Sequence, residues 1–257
     1  MPDNNITPYD YDSIPGGYYD EVFHRRKGMQ SKWQHMKFAH VARQIPAGAA
    51  HLDIACGPGT FMSTLPATVQ STGLDVAPAQ VQFAREKYGA PNRNYELMTP
   101  GKLPVPDNSF DIITCIDLIE HITREETLIL LAECKRVLKP GGRAIVTTPN
   151  YATGWPILEW FVNRLSKLSY EDQHISHYKP ASLRALIVEA GLEVRDIYSY
   201  MLTAPFWGGL SWKFADTVEQ KLEPTFIVRA LGSELASVSR KPEQKPESTS
   251  EPKDKTP

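Results

Sequence analysis

Between residues 50 and 148 the chain alternates short aliphatic runs with stretches of helical spacing, and nothing else in it limits the fold so tightly. HLDIA (51–55), STGLDV (71–76), NYELM (94–98), FDIITCI (110–116) and RAIVTT (143–148) have the length and branching of buried strands. The stretches between them carry helix boundary signals. APAQVQFAREKY opens on Pro78, which suits a first helical turn because an N–H there would have no intrahelical partner. TREETLILLAECKRVL starts with Thr123 and Glu126 at capping-box spacing and stops before Lys139-Pro140-Gly141-Gly142. Strand–helix alternation of this kind makes right-handed crossovers, hence a mostly parallel sheet with helices on both faces. The expected class is α/β, a Rossmann-like doubly wound sheet. Its ligands sit outside the carboxyl ends of the strands, near the switch in strand order.

Three regions flank this core. Residues 17–45 read as one or two helices with Tyr18, Tyr19, Phe23, Trp33, Phe38 and Val41 on their apolar faces. In residues 156–168, Leu158, Phe161, Val162 and Leu165 share a helical stripe. Residues 198–222 are dense in aromatics, including Tyr198, Tyr200, Phe206 and Trp207, and Leu210, Phe214, Val218 and Leu222 repeat every four residues. All three are expected to pack as helices on the sheet and to shape an acceptor pocket. The segment 1–16 is polar and expected to be loose. Residues 241–257 are rich in proline and charge with nothing apolar to bury, which predicts a disordered tail.

Composition narrows the partners. Twenty-eight basic residues against thirty acidic ones leave a net charge of −2, so the chain offers no polycationic field to a nucleic acid. Arg25, Arg26 and Lys27 form the one dense basic cluster before the tail. The three cysteines, Cys56, Cys115 and Cys134, are too few for a disulfide scaffold and match no zinc spacing, which favours a reducing compartment. The acidic start MPDNNITPYDYD has no signal-peptide character, and no run reaches the roughly 18 apolar residues of a membrane span. A soluble, cytoplasmic protein is expected, with at most peripheral membrane contact.

The chemistry is concentrated in HLDIACGPGTF (51–61), where a strand holding Asp53 runs into a turn with Gly57 and Gly59 and then a helix. Such glycines let backbone approach a ligand, and the helix start offers free N–H groups. The dinucleotide fingerprint needs a third glycine where Met62 stands, which argues against NAD or FAD. An acid four residues before the first glycine suits a ligand with an ammonium group better than one with a pyrophosphate. Asp75 ends the next strand, placed to accept hydrogen bonds from both hydroxyls of a ribose.

D-I-A-C-G-P-G, the G-L-D strand, L-P-V-P-D-N-S-F-D (103–111), C-I-D-L-I-E-H (115–121) and R-V-L-K-P-G-G (136–142) follow in order. Together they resemble the class I S-adenosylmethionine-dependent methyltransferases over residues 50 to about 195, with a last strand at 232–241. The resemblance implies a seven-stranded sheet with its last strand antiparallel, N-terminal helices, and helical insertions forming an acceptor lid. It implies a domain over 17–240: N-terminal helices to 45, a cofactor-binding core at 50–148, and acceptor-side elements at 150–222. It also implies S-adenosyl-L-methionine as methyl donor. Asp53, Ala55, Gly57 and Gly59 would surround its methionine part, Asp75 its ribose, Val76 its adenine, and Ile116 would lie beneath it. Thr99, followed by Pro100, stands where many relatives carry an aspartate for the adenine amino group, and a hydroxyl accepts there more weakly.

The subgroup it is most similar to is the quinone-pathway O-methyltransferases. Lys37 in QHMKF matches an arginine that lies near the cofactor carboxylate in that subgroup. Asp117, Glu120 and His121 match a Glu-x-x-Glu-His stretch and would share a helix face; in some relatives such a trio binds a divalent ion, which is not the expectation here. His121, and His174 and His177 ahead of the helix opening at Pro180, are the candidate general bases. The expected activity is methyl transfer to a small molecule at a hydroxyl oxygen, the acceptor being apolar, quinone-like, glycosyl or polyketide-like. The alternatives are a methyltransferase for RNA or protein and a non-catalytic S-adenosylmethionine-binding protein.

Overall fold

The computed structural model describes residues 15–153, 155–156, 173–202, 207, 211–222 and 225–243. Its strands are β1 (Ala50–Ile54), β2 (Gln70–Asp75), β3 (Arg93–Leu97), β4 (Phe110–Ile116), β5 (Leu138–Pro149), β6 (Glu193–Tyr200) and β7 (Glu234–Arg240). They form one sheet in the order β3-β2-β1-β4-β5-β7-β6. The first five are parallel, and β7 runs antiparallel between β5 and β6. The order reverses between β1 and β4, where a doubly wound sheet opens its ligand crevice.

The strands are apolar because both faces are covered. Ile113 and Val146 pack with Leu52, Leu74 and Leu131 on one face, while Ile112 and Ile145 join Val41, Ile45 and Phe61 on the other. Each such buried side chain contributes about 1.5–3 kcal/mol. Residues 17–45 form two helices, α1 (Tyr18–His24) and α2 (Gly28–Ala42). A short α3 (Thr60–Ser63) follows the glycine turn, and α4 (Pro78–Tyr88) begins at the proline as expected. In α5 (Arg124–Val137) the capping box forms: the Glu126 N–H reaches the Thr123 hydroxyl at 3.2 Å and the Thr123 N–H reaches the Glu126 carboxylate at 2.8 Å. Three further helices are α6 (Pro180–Glu189), α7 (Trp212–Leu222) and α8 (Phe226–Leu231).

A buried acid fastens α1 to the domain. Asp20 accepts from the Thr60 hydroxyl at 2.9 Å and from Lys87 and Tyr88, and these bonds outweigh burial to lower its pKa. The Gln80 amide accepts from the Gly17 N–H and donates to the Pro15 carbonyl, both at 3.2 Å.

Several expectations are revised. Tyr198 and Tyr200 belong to β6, not to a helix. Among the described side chains of α7 only Ala215 is buried, and Phe214 is about half exposed. The stripe Leu158, Phe161, Val162 and Leu165 lies outside the described residues, as do Phe206, Leu210, residues 1–14 and residues 244–257. Lys241 donates from its ammonium to the Leu138 carbonyl at 2.8 Å and the Asn108 side chain at 2.6 Å, so packing continues past Arg240. The three cysteines are free and buried. Among the described residues no helix is long and apolar enough to cross a membrane.

Candidate active site

A cavity of about 340 Å³ opens at the carboxyl ends of the strands, with α1 and α2 contributing to its wall. The turn between β1 and α3 builds one side. Ala55, Gly57 and Gly59 have φ of 57°, 52° and 77°, a left-handed bend that brings the backbone back toward β2. A Cβ on Gly59 would lie 2.7 Å from the Tyr95 ring, so packing alone demands glycine there. A Cβ on Gly57 would meet no protein atom within 4 Å, yet Gly57 lines the cavity. Beside Gly57 the cavity is therefore bordered by open backbone.

Asp75 ties the bend to β2, accepting from the Gly57 N–H at 2.7 Å and the Ala77 N–H at 2.9 Å. Burial raises its pKa despite these bonds. Asp53 accepts from the Thr114 hydroxyl at 2.6 Å, and burial raises its pKa to about 7, with Asp75 adding to the rise. Behind Thr114 lies buried His51, 2.8 Å from Thr114 Oγ1 through Nε2 and 3.0 Å from Ser71 Oγ through Nδ1. Because the Thr114 hydrogen goes to Asp53, His51 donates from Nε2 and Nδ1 accepts from Ser71. Burial keeps this histidine neutral, with a pKa near 3. Two buried acids, an open glycine backbone and Ile116 are a fitting wall for a ligand carrying an ammonium group and a ribose.

The opposite side is more acidic. Lys37 pairs with Asp117, which also accepts from the Thr147 hydroxyl at 2.9 Å. Burial works against the Lys37 charge, but Asp117, Glu234 and Glu120 outweigh it and raise its pKa. Glu120 accepts from the Thr148 hydroxyl at 2.9 Å, and Glu234 from the Trp33 indole at 3.1 Å. Burial, reinforced by the Asp117 charge, lifts both glutamates well above the usual carboxylate range.

His121 and His174 both line the cavity, their ring centroids 5.0 Å apart. His121 Nδ1 is 2.9 Å from the Gln173 carbonyl, an acceptor only, so Nδ1 carries the hydrogen and Nε2 is the basic nitrogen. Burial, then His174, lower its pKa to about 4. His174 Nδ1 is 2.9 Å from the Tyr151 hydroxyl. His177 is exposed, stacked on Tyr151 at 4.1 Å, and is not part of the cavity wall. Asp117, Glu120 and His121 do not share a helix face: Asp117 has φ of 52° and only Ile119–His121 form a single 3-10 turn. Instead, ligand atoms of Glu120, His121 and His174 lie within 4.8 Å of one another. One carboxylate and two imidazoles are a donor set for a first-row divalent ion.

Lys37, Asp53, Ala55, Gly57, Asp75 and Ile116 thus come together with His121 and His174 around one cavity. Gly59 supports the turn from behind. Val76, Thr99 and Pro100 are not in the wall, and the last two are exposed after β3. Sequence reading missed the cavity positions of Gln34, Trp155 and Glu234 and took Trp33 only as an apolar face. The signal for Glu234 was a carboxylate heading the otherwise apolar and small ELASVS strand.

The methyltransferase-domain family profile matches residues 52–146, the β1–β5 core. A ubiquinone biosynthesis O-methyltransferase of Xanthomonas axonopodis pv. citri is 30% identical over 199 residues, covering 74% of this chain and 79% of the relative. The chain belongs to the S-adenosylmethionine-dependent methyltransferases. A demethylmenaquinone methyltransferase of Tropheryma whipplei is 29% identical over 176 residues, covering 66% of this chain and 70% of the relative. Among solved structures, a SAM-dependent methyltransferase from Thermotoga maritima superposes with a TM-score of 0.62 at 17% identity, covering 87% of this chain and 94% of that one.

Proposed function

We propose that the protein methylates a hydroxyl oxygen of a small molecule with an apolar, quinone-like ring, and that the residues described above carry the reaction. S-adenosylmethionine supplies an electrophilic methyl group on a sulfonium. Asp53 and the Ala55–Gly59 turn hold its amino-acid part, Lys37, paired with Asp117, faces its carboxylate from across the cavity, and Asp75 takes the ribose hydroxyls. Ile116 supports it from below. The observation that carries the oxygen assignment is His121. A hydroxyl must give up its proton at or before transfer, and His121 in the cavity wall is a neutral imidazole whose unprotonated Nε2 can accept it. The Gln173 carbonyl fixes that tautomer. The names of the two quinone-pathway relatives favour such an acceptor, and the net charge of −2 disfavours RNA.

The test is methyl-labelled S-adenosylmethionine with a metabolite extract and with hydroxylated quinone precursors. His121→Asn is expected to lower turnover by about 10²–10⁴ while leaving S-adenosylhomocysteine affinity within about twofold. Full turnover in that variant would leave positioning and desolvation as the mechanism. Label entering only RNA or protein would overturn the small-molecule reading.

A further inference from the structure

Buried polar atoms in folded proteins nearly always have a partner, and an exception needs a reason. Among the described residues six buried side-chain polar atoms have none, and three of them belong to residues of this one cavity: Gln34 Oε1, Trp155 Nε1 and Glu234 Oε2. Trp33 links two of these residues. Its indole N–H is 3.1 Å from Glu234 Oε1, and its ring meets Trp155 edge-on at 5.4 Å. Glu234 heads β7 opposite Pro149 of β5. From β1, which carries Asp53, the sheet steps through β4 and β5 to β7, and three strand spacings of about 4.8 Å make roughly 14 Å. A group bound at Glu234 therefore lies three strands from the Asp53–Asp75 side, and on that ground is assigned to the acceptor.

We infer that Glu234, Trp155 and Gln34 form a head-group subsite that takes an uncharged hydroxyl of the acceptor, distinct from the position that is methylated. This rests on the methyltransferase reading for the word acceptor, but not for the site. The three orphaned atoms set the chemistry. The Trp155 N–H needs an acceptor and Gln34 Oε1 needs a donor, and a hydroxyl is both. Glu234 Oε2 serves either way: burial favours its protonated form, which donates, and the ionised form accepts. An anionic group would add a charge beside Asp117, and Lys37, the one Lys or Arg among the described residues of the wall, is already paired with Asp117. An ammonium group would satisfy Gln34 and Glu234 but leave the Trp155 N–H with nothing to donate to. Trp33 and Trp155 supply flat apolar walls for the ring or chain that bears the hydroxyl. Glu234 is on this argument a specificity-determining residue.

The experiment titrates the full chain with three probes sharing one ring, benzyl alcohol, benzyl methyl ether and benzylamine, by ligand-observed NMR with and without S-adenosylhomocysteine. The wild type is expected to bind benzyl alcohol at least about tenfold more tightly than either other probe. In Glu234→Leu the preference over the ether falls below about threefold, and Glu234→Gln, which keeps both a donor and an acceptor, restores it. Because the preference compares two probes on one variant, a general loss of packing does not move it. An unchanged preference in Glu234→Leu overturns the subsite, as does the absence of saturable binding by any probe. Tighter binding of benzylamine, lost in Glu234→Gln, replaces it with a cation site. S-adenosylhomocysteine failing to bind while the alcohol preference holds would count against the methyltransferase reading and leave the subsite standing.

Discussion

The proposed contact with the cofactor ammonium makes the Asp53 carboxyl a proton switch whose size can be worked out. Burial raises its pKa from 3.8 to about 7, so below neutrality the empty site holds a proton. Contact with a ligand ammonium requires the ionised form. With a pKa near 7 the ionised fraction is about three quarters at pH 7.5 and about one eleventh at pH 6, a ratio of about eight. At 1.36 kcal/mol per tenfold, S-adenosylhomocysteine should bind about 1.2 kcal/mol more weakly at pH 6. Binding at pH 6 should also release close to one proton, measured by calorimetry in buffers of different ionisation enthalpy. Asp53→Asn should bind more weakly at pH 7.5 and lose the pH dependence. The sign for stability is opposite. The folded, ligand-free chain holds this proton more tightly than the unfolded one, so its stability falls as pH rises from about 4 to about 7 and levels off above. A binding constant flat between pH 6 and 7.5, or a pH dependence that survives in Asp53→Asn, would refute the reasoning.

Other outcomes can be checked directly. Asp75→Ala removes the tether on Gly57 and Ala77 together with the two ribose contacts proposed for this carboxylate, and is expected to weaken S-adenosylhomocysteine binding by about 2–4 kcal/mol in calorimetry. Thr123→Ala breaks the α5 capping box and should cost about 1 kcal/mol, a fall of about 2–4 °C in Tm, without altering cofactor affinity. Chelator treatment should leave turnover unchanged, because burial and the neighbouring Asp117 charge favour the protonated Glu120 carboxyl, which ligates poorly. Loss of activity restored by a divalent ion would instead assign that ion to Glu120, His121 and His174.

What the sequence made legible was local. Strand lengths, the proline opening α4, the Thr123–Glu126 cap and the Asp53–Gly57 spacing all follow from residues within a few positions of one another. What it hid depends on long-range packing. His174 and His177 are three residues apart and chemically alike, yet one enters the cavity beside His121 and the other stacks outward on Tyr151. Asp117, Glu120 and His121 have helical spacing, but the left-handed φ at Asp117 and the short 3-10 turn spread them differently. Glu234 reaches the same wall from a strand more than a hundred residues later in the chain, placed there by the antiparallel register of β7 against β5.

The position of β7 also sets the order in which the molecule can be made. It is the seventh strand to leave the ribosome, yet it lies between the fifth and the sixth. A nascent chain halted before residue 234 would have the donor-side turn, Asp53 and Asp75 in place on a five-stranded parallel sheet. Its β5 would be an open edge, and β6, whose sheet neighbour is β7, would have no strand to pair with. One short stretch of chain therefore closes the edge, recruits β6 and adds Glu234 together, so the Asp53–Asp75 side of the crevice can form before the opposite wall is complete.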